Sequence, residues 1–281
     1  MSEVGLFGPD SVTWQVHADP AMVLGGIRSL FLQALHPRAV AGVLQNSDFR
    51  TNPLGRLKRT ADFIGTTTYG TAEQAHAAAA RVRAIHRALR ATDPDTGESY
   101  PLDDPDLLLW VHCAEVSSFL SVTRRAGYPL TKAHADRYLA EQRTSAELVG
   151  IDPADVPTDT AAMTTYFRRI RPHLRHTPDA DEIYAFLHRP PIRGALAVGL
   201  PLYEPAIGHL SYSLLPGWAH RVYGRRPYPR HVATAMARAL RSAAPHLRPI
   251  IRAAGAPEPA TAAAIRRLGP QATPSAARLP A

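Results

Sequence analysis

Three histidines lie inside strongly apolar, helix-forming runs: His36 in LFLQALHPRAV, His86 in RVRAIHRAL and His112 in LLWVHCAEV. A neutral imidazole taken out of water needs a partner for each nitrogen. A backbone carbonyl on a helix-packing surface would satisfy any one of them, but three in one chain point to a metal or cofactor site. Non-haem iron would ask for Glu-x-x-His pairs on facing helices, and the chain has only the reverse order, once, in His112-x-x-Glu115. Haem asks less: one axial imidazole, an apolar slot, and cations for two propionates. The segment around His86 contains these elements locally, with Val82 and Leu89 about one turn away and Arg83 and Arg90 at minus three and plus four. His173, His176, His188, His209, His220, His231 and His246 fall in Pro- and Arg-rich stretches and read as solvated or loop-fixing.

Other chemistries are absent as motifs. There is no GxGxxG loop, P-loop, GxSxG elbow or HExxH pair, which sets nucleotide, serine-hydrolase and zincin readings aside. Cys113 is the single cysteine, so neither an internal disulfide nor a cysteine-rich metal centre can form, and a reducing, cytoplasmic setting fits. The net charge of +8 raises nucleic acid as a partner. The arginines, however, are scattered among acids and no recognition motif accompanies them, so no nucleic acid is expected. Lys58 and Lys132 are the only lysines, a bias that reflects a GC-rich genome. The first twenty residues lack a basic segment followed by an apolar one. The apolar stretches Leu30–Leu35 and Gly194–Pro205 are too broken to span a bilayer. No membrane span is expected, and peripheral contact is left open.

The elements that must position these residues are helices. Asp19–Pro20 opens a run in which Val23, Ile27, Leu30, Phe31 and Leu35 recur at helical spacing, and Pro37 starts a second helix toward Leu44. A third is expected over Arg56–Tyr69, stopped by Gly70, and a fourth over Ala72–Arg90, capped by Thr71, with Ala79, Val82, Ile85 and Leu89 as its apolar stripe. After a turn at Asp93–Gly97, the run LLLWVHCAEVSSFLSV is apolar on nearly all sides and should be the buried central helix. Further helices are expected at 131–149, 160–174, 179–187, 191–200 and 230–251. From about Gly255 the chain is rich in Ala, Pro and Arg, which predicts a domain over residues 1–254 and a partly disordered tail over 255–281.

Taken in order, LFLQALHPRAVAGVLQNSDF, RLKRTADFIGTTTYG, RVRAIHRAL and GESYPLDDPDLLLWVHCAEV resemble the catalytic domain of the MpaB and rubber-oxygenase (latex-clearing protein) family, over roughly residues 12–225. The resemblance implies an all-α, globin-related single domain around a pocket for haem b, in a family that cleaves double bonds of isoprenoid chains with O2. It implies His86 as the iron ligand. The family's distal Arg-x-x-Lys-Thr pattern is matched by Arg56, Arg59 and Thr60, with Arg59 replacing a lysine. An arginine cannot ligate iron as a neutral lysine can, and no equivalent of the family's acidic base is evident.

The expectation is therefore a haem-dependent oxygenase acting on an apolar, isoprenoid or lipid-like molecule with O2. Arg56, Arg59 and Thr60 would line the oxygen side, and His86, Arg83, Arg90, Trp110 and His112 would surround the cofactor. His36 and His112 read as supporting or core residues in that family, and Trp110 as core or as a stacking partner of the macrocycle. The alternative is a non-catalytic haem- or lipid-binding protein on the same scaffold.

Overall fold

The computed structural model describes residues 4–192, 194–253 and 258–280. The chain is all-α apart from one small hairpin. Its helices are α1 (Val12–His17), α2 (Met22–Gln33), α3 (Pro37–Asn46), α4 (Pro53–Tyr69), α5 (Ala72–Ala88), α6 (Pro105–Arg125), α7 (Lys132–Leu148), α8 (Thr160–Ile170), α9 (Pro178–His188), α10 (Leu200–Tyr203), α11 (His209–Ser213), α12 (Gly217–Tyr223), α13 (Arg230–Ala253) and α14 (Ala260–Leu268). The hairpin pairs β1 (Arg90–Thr92) with β2 (Ser99–Pro101), antiparallel, with Ala91 opposite Tyr100.

Helix starts follow local chemistry. The Asn52 side chain accepts from Gly55 N at 3.1 Å with Pro53 in the first turn, and Thr71 and Gln74 form a reciprocal capping box ahead of α5. Asp104 caps α6 through Asp106 N and Leu107 N. His36 caps α3, its Nδ1 accepting from Ala39 N. One of the three singled-out imidazoles is thus largely accounted for by a backbone amide.

α6 is the central helix. Leu109, Trp110, Cys113, Ala114, Val116, Phe119 and Val122 are all buried, and α2 lies along it with Ile27, Phe31 and Leu32. Arg28 is buried in this contact, donating from Nε to Leu214 O at 2.9 Å and from a terminal nitrogen to Ser118 Oγ at 2.5 Å. That ties α2 to α6 and to the end of α11 with the guanidinium hydrogen-bonded, as a buried charge requires.

Four features differ from the sequence reading. α5 ends at Ala88, and the residues after it turn into β1; Tyr100 and Leu107, buried with Ala91, hold the hairpin to the domain. Where a helix was expected over 191–200, a 3-10 turn runs over Gly194–Gly199, and Arg193 lies outside the described residues. α1, α11 and α12 were not anticipated. Residues 258–280, expected as a loose tail, instead form α14, which packs on α4, and two 3-10 turns. Ala264 and Ala272 are buried with Trp14 and Tyr69, and Trp14 Nε1 donates to Ala272 O at 2.9 Å. Small alanines are what permit that close packing. The expected domain end at 254–255 lies outside the described residues. No helix among those residues is long and apolar enough to cross a membrane.

Candidate functional site

α4 and α5 form an antiparallel pair joined at Gly70–Thr71, with the first turn of α4 beside the last turn of α5. Arg56 comes from the former and His86 from the latter. Arg56 and Thr60 are one turn apart and therefore on one face. A terminal nitrogen of Arg56 donates to Thr60 Oγ1 at 2.5 Å, and Thr60 Oγ1 donates to Arg56 O at 3.3 Å.

The positive charge of Arg56 acts on both His86 and Glu115. Burial holds the His86 imidazole below its ordinary range, Arg56 adds to this, and Asp103 opposes it. His86 is therefore neutral near pH 7, with a lone pair free to ligate or accept. Its Nδ1 is sealed from solvent and has no hydrogen-bond partner.

On α6, one helical turn apart, stand His112 and Glu115. His112 is 8% exposed, burial brings it down to about 4, and its Nε2 is likewise sealed and unpaired. Burial pushes the Glu115 carboxyl up to about 7, against the pull of Arg56. Glu115 also bears on Tyr138, whose hydroxyl meets His17 Nε2 at 3.0 Å; His17 Nδ1 meets Thr68 Oγ1 at 2.8 Å. Burial lowers His17 to about 3. The result is a buried polar layer threading an otherwise apolar interior, with a carboxyl that titrates in the neutral range.

Sequence reasoning passed over Glu115 and His17. Glu115 carried a signal, its place three residues after His112, but that spacing was weighed only as half of an iron-carboxylate pair. His17 sits beside Val12, Trp14 and Val16, all buried, an apolar setting like those of the three histidines singled out.

Of the residues expected around the site, Arg56, bonded to Thr60, lies within electrostatic reach of His86 and of Glu115, and His112 stands one turn from Glu115 on α6. Arg59 is not: it pairs with Asp48 at the surface, its side chain 54% exposed. One residue of offset from Thr60 turns it about 100° around the helix, and the loop before α4 offers it a carboxylate. Arg83 donates to Leu148 O, closing the end of α7. Arg90, placed in β1 rather than on the helix, bonds Ser99 Oγ at 2.9 Å and Ser99 O at 3.1 Å. Trp110 is fully buried, donates to Gln33 O at 3.3 Å and meets Phe167 edge-on, so it is a core residue of the α2–α6–α8 contact.

The donors present fit a cofactor that brings its own metal and apolar bulk. Two sealed imidazole nitrogens lack protein partners, which buried polar groups rarely do, and no cluster of three or more His, Cys, Asp or Glu that could hold a bare metal ion occurs among the described residues. The two cations expected for the propionates, Arg83 and Arg90, are engaged elsewhere; Arg56, expected on the oxygen side, is the cation that acts on His86.

No match was found among curated proteins or among solved structures. Residues 14–248 match the family described as ER-bound oxygenase mpaB/B'/rubber oxygenase, catalytic domain. That span takes in every residue of the α4–α5–α6 site, and the chain belongs to this family of oxygenase catalytic domains.

Proposed function

We propose that the chain is a haem-b-dependent oxygenase whose site lies between α4, α5 and α6 and whose substrate is apolar. The observation that carries this is the pair of sealed, unpaired nitrogens, His86 Nδ1 and His112 Nε2, beside one cation and one carboxyl that titrates near neutrality. His86 would hold the iron, and Arg56 would face a propionate or the reacting oxygen side. Haem, when bound, supplies the oxidising chemistry toward O2 that no side chain here can provide.

The chain's own residues do the rest. Arg56, fixed by Thr60, keeps a permanent positive charge in a water-poor space, where it stabilises developing negative charge more than it could in water. Glu115, lifted to about 7, exchanges its proton around neutral pH and can give it up or take it back, as a general acid–base group must. The apolar residues of α6 and α2 exclude water and favour a carbon-chain substrate.

The test is haem content and melting temperature of the purified protein and of His86→Ala and His112→Ala. We expect roughly one haem per chain in the parent and loss of haem with His86→Ala. His112→Ala should keep haem and shift stability by about 1–3 kcal/mol. Full haem occupancy in His86→Ala with loss in His112→Ala would move the ligand to α6, and a parent protein that binds no haem would overturn the reading.

A further inference from the structure

A cavity of about 840 Å3 opens between α9, the segment after α10, and α11, and shares no wall residue with the Arg56–His86–Glu115 site. Six of its wall residues carry aromatic or imidazole rings. Tyr184 stacks on His188 with centroids 4.1 Å apart, Tyr228 meets His209 edge-on at 4.4 Å, and Phe49 meets Phe186 at 4.8 Å. The volume lies within the range of small-molecule sites.

Two backbone features build it. Residues Glu204–Gly208 form a π-turn, a wide and uncommon turn that recurs at functional sites, and it leads directly into His209. Gly208 lets that turn press against α9: a Cβ there would lie 2.8 Å from Leu187 O and 3.0 Å from His188 Cα. The close approach brings His188 Nε2 to 3.2 Å from His209 Nδ1.

The hydrogen bonds assign the protons. His188 Nδ1 lies 2.8 Å from Tyr184 O. A carbonyl can only accept, so that nitrogen carries the hydrogen and Nε2 of the neutral ring is a lone pair. His209 Nδ1 must then donate to it, which leaves a lone pair on His209 Nε2. Burial lowers both imidazoles from their ordinary range, so the neutral pair is the resting form. His209 Nε2 bonds no group among the described residues and, unlike His86 Nδ1 and His112 Nε2, is accessible. The cations of the wall are already matched: Arg50 with Glu182, Arg189 with Glu204, and Arg225 with Asp181. The cavity therefore offers aromatic rings, two of them covered by wall arginines (Arg225 over Tyr184 at 4.1 Å and Arg50 over Phe49 at 4.9 Å), together with a hydrogen-bond acceptor and no unpaired charge.

We propose that this cavity is a second ligand site, which takes a neutral aromatic molecule bearing a hydroxyl, held between the aromatic walls with the hydroxyl donating to His209 Nε2. The inference is independent of the haem reading.

The experiment is calorimetric titration of the full chain with 2-naphthol, with 2-methoxynaphthalene, which has the same ring without the donor, and with 2-naphthoate, the anion. 2-Naphthol should bind about tenfold more tightly than the methyl ether, as one hydrogen bond allows, and the naphthoate should bind more weakly than either. His209→Phe keeps an aromatic wall and should bring 2-naphthol down to the level of its ether. Nitrogen-15 shifts of the histidines in the unsubstituted protein give a reading that does not depend on that variant folding: His188 and His209 should both be protonated at Nδ1 and bare at Nε2. Equal affinity for the two neutral probes, tighter binding of the anion, no binding of 2-naphthol, a preference that survives His209→Phe, or a proton on His209 Nε2 would each overturn the proposal.

Discussion

Glu115 is a partly buried acid whose proton is held by its surroundings. Burial, opposed by Arg56, lifts it to about 7, so the folded chain binds this proton more tightly than the unfolded chain does. The sign follows directly: stability from this group is present at low pH and is lost as pH rises from the usual carboxylate range through about 7. Glu115→Gln keeps the shape and removes the titration. Part of the gain is offset because Arg56 loses its counter-charge, so the variant should be more stable by about 1–3 kcal/mol at pH 8 and nearly unchanged at about pH 4. Urea unfolding at the two pH values measures this, and an equal effect at both would separate Glu115 from the titration assigned to it.

At the scale of elements, the site depends on how closely helices approach α6. α2 comes close at Gly25, where a Cβ would lie 3.1 Å from Phe119 Cδ1 and 3.2 Å from Phe119 Cα. A side chain can rotate away from such a contact, but backbone cannot. Gly25→Ala should therefore cost about 1–3 kcal/mol through a forced helix shift. Gly26 supplies the control, since the nearest atom to a Cβ there is Phe119 Cε1 at 4.0 Å. Gly26→Ala should be neutral or stabilise by up to about 1 kcal/mol through helix propensity alone. Thermal melts of the two variants decide the matter, and equal losses would mean that the α2–α6 distance is not what limits this contact.

Across the whole molecule, the two ends of the described chain are fastened together. Trp14, in α1, is fully buried, bonded to Ala272 O and packed edge-on against Tyr69 at 4.7 Å. Arg267 also donates to Tyr69 O at 2.8 Å. Ending the chain after residue 257 should uncover Trp14 and Tyr69 and lower the melting temperature by several degrees, at roughly 2–4 °C per kcal/mol for a chain of this size. An unchanged melting temperature would return residues 258–280 to the status of a dispensable tail. Acid sensitivity is a second property of the whole. His17, His36 and His112 are held to about 3, 4 and 4, mainly by burial. Groups with lowered imidazole values stabilise the fold above their unfolded range and lose that contribution as pH falls through it. Near pH 5.5 these three imidazoles, opposed by the one carboxyl of Glu115, contribute a net uptake of about two protons on unfolding, to which the lowered His86, His188, His209 and His220 add in the same sense, so stability should fall by at least about 3 kcal/mol per pH unit. Denaturant midpoints between pH 5 and 7 give the slope, and a flat profile would show that these rings are already solvated in the fold.

Much of the architecture was legible in the residues themselves. The helix cap at Thr71, the proline that starts α3, and the all-round apolarity of α6 are local properties, because hydrogen-bond satisfaction and burial act over one or two turns. The same locality made His86 and His112 stand out, since an imidazole in an apolar helix is conspicuous in any fold. What the linear order could not decide was direction. Arg59 and Thr60 are neighbours in the chain, yet one turns to Asp48 at the surface and the other to Arg56, because a helix rotates successive side chains by about 100°. Arg83 and Arg90 share a nominal helix face only if the helix continues, and it ends at Ala88, where the hairpin is held by the buried Ala91, Tyr100 and Leu107. Glu115 gains its raised value, and His209 its free lone pair, from groups far away in the chain. Only the tertiary structure sets those distances, because burial and charge act through space and fall off within a few ångströms.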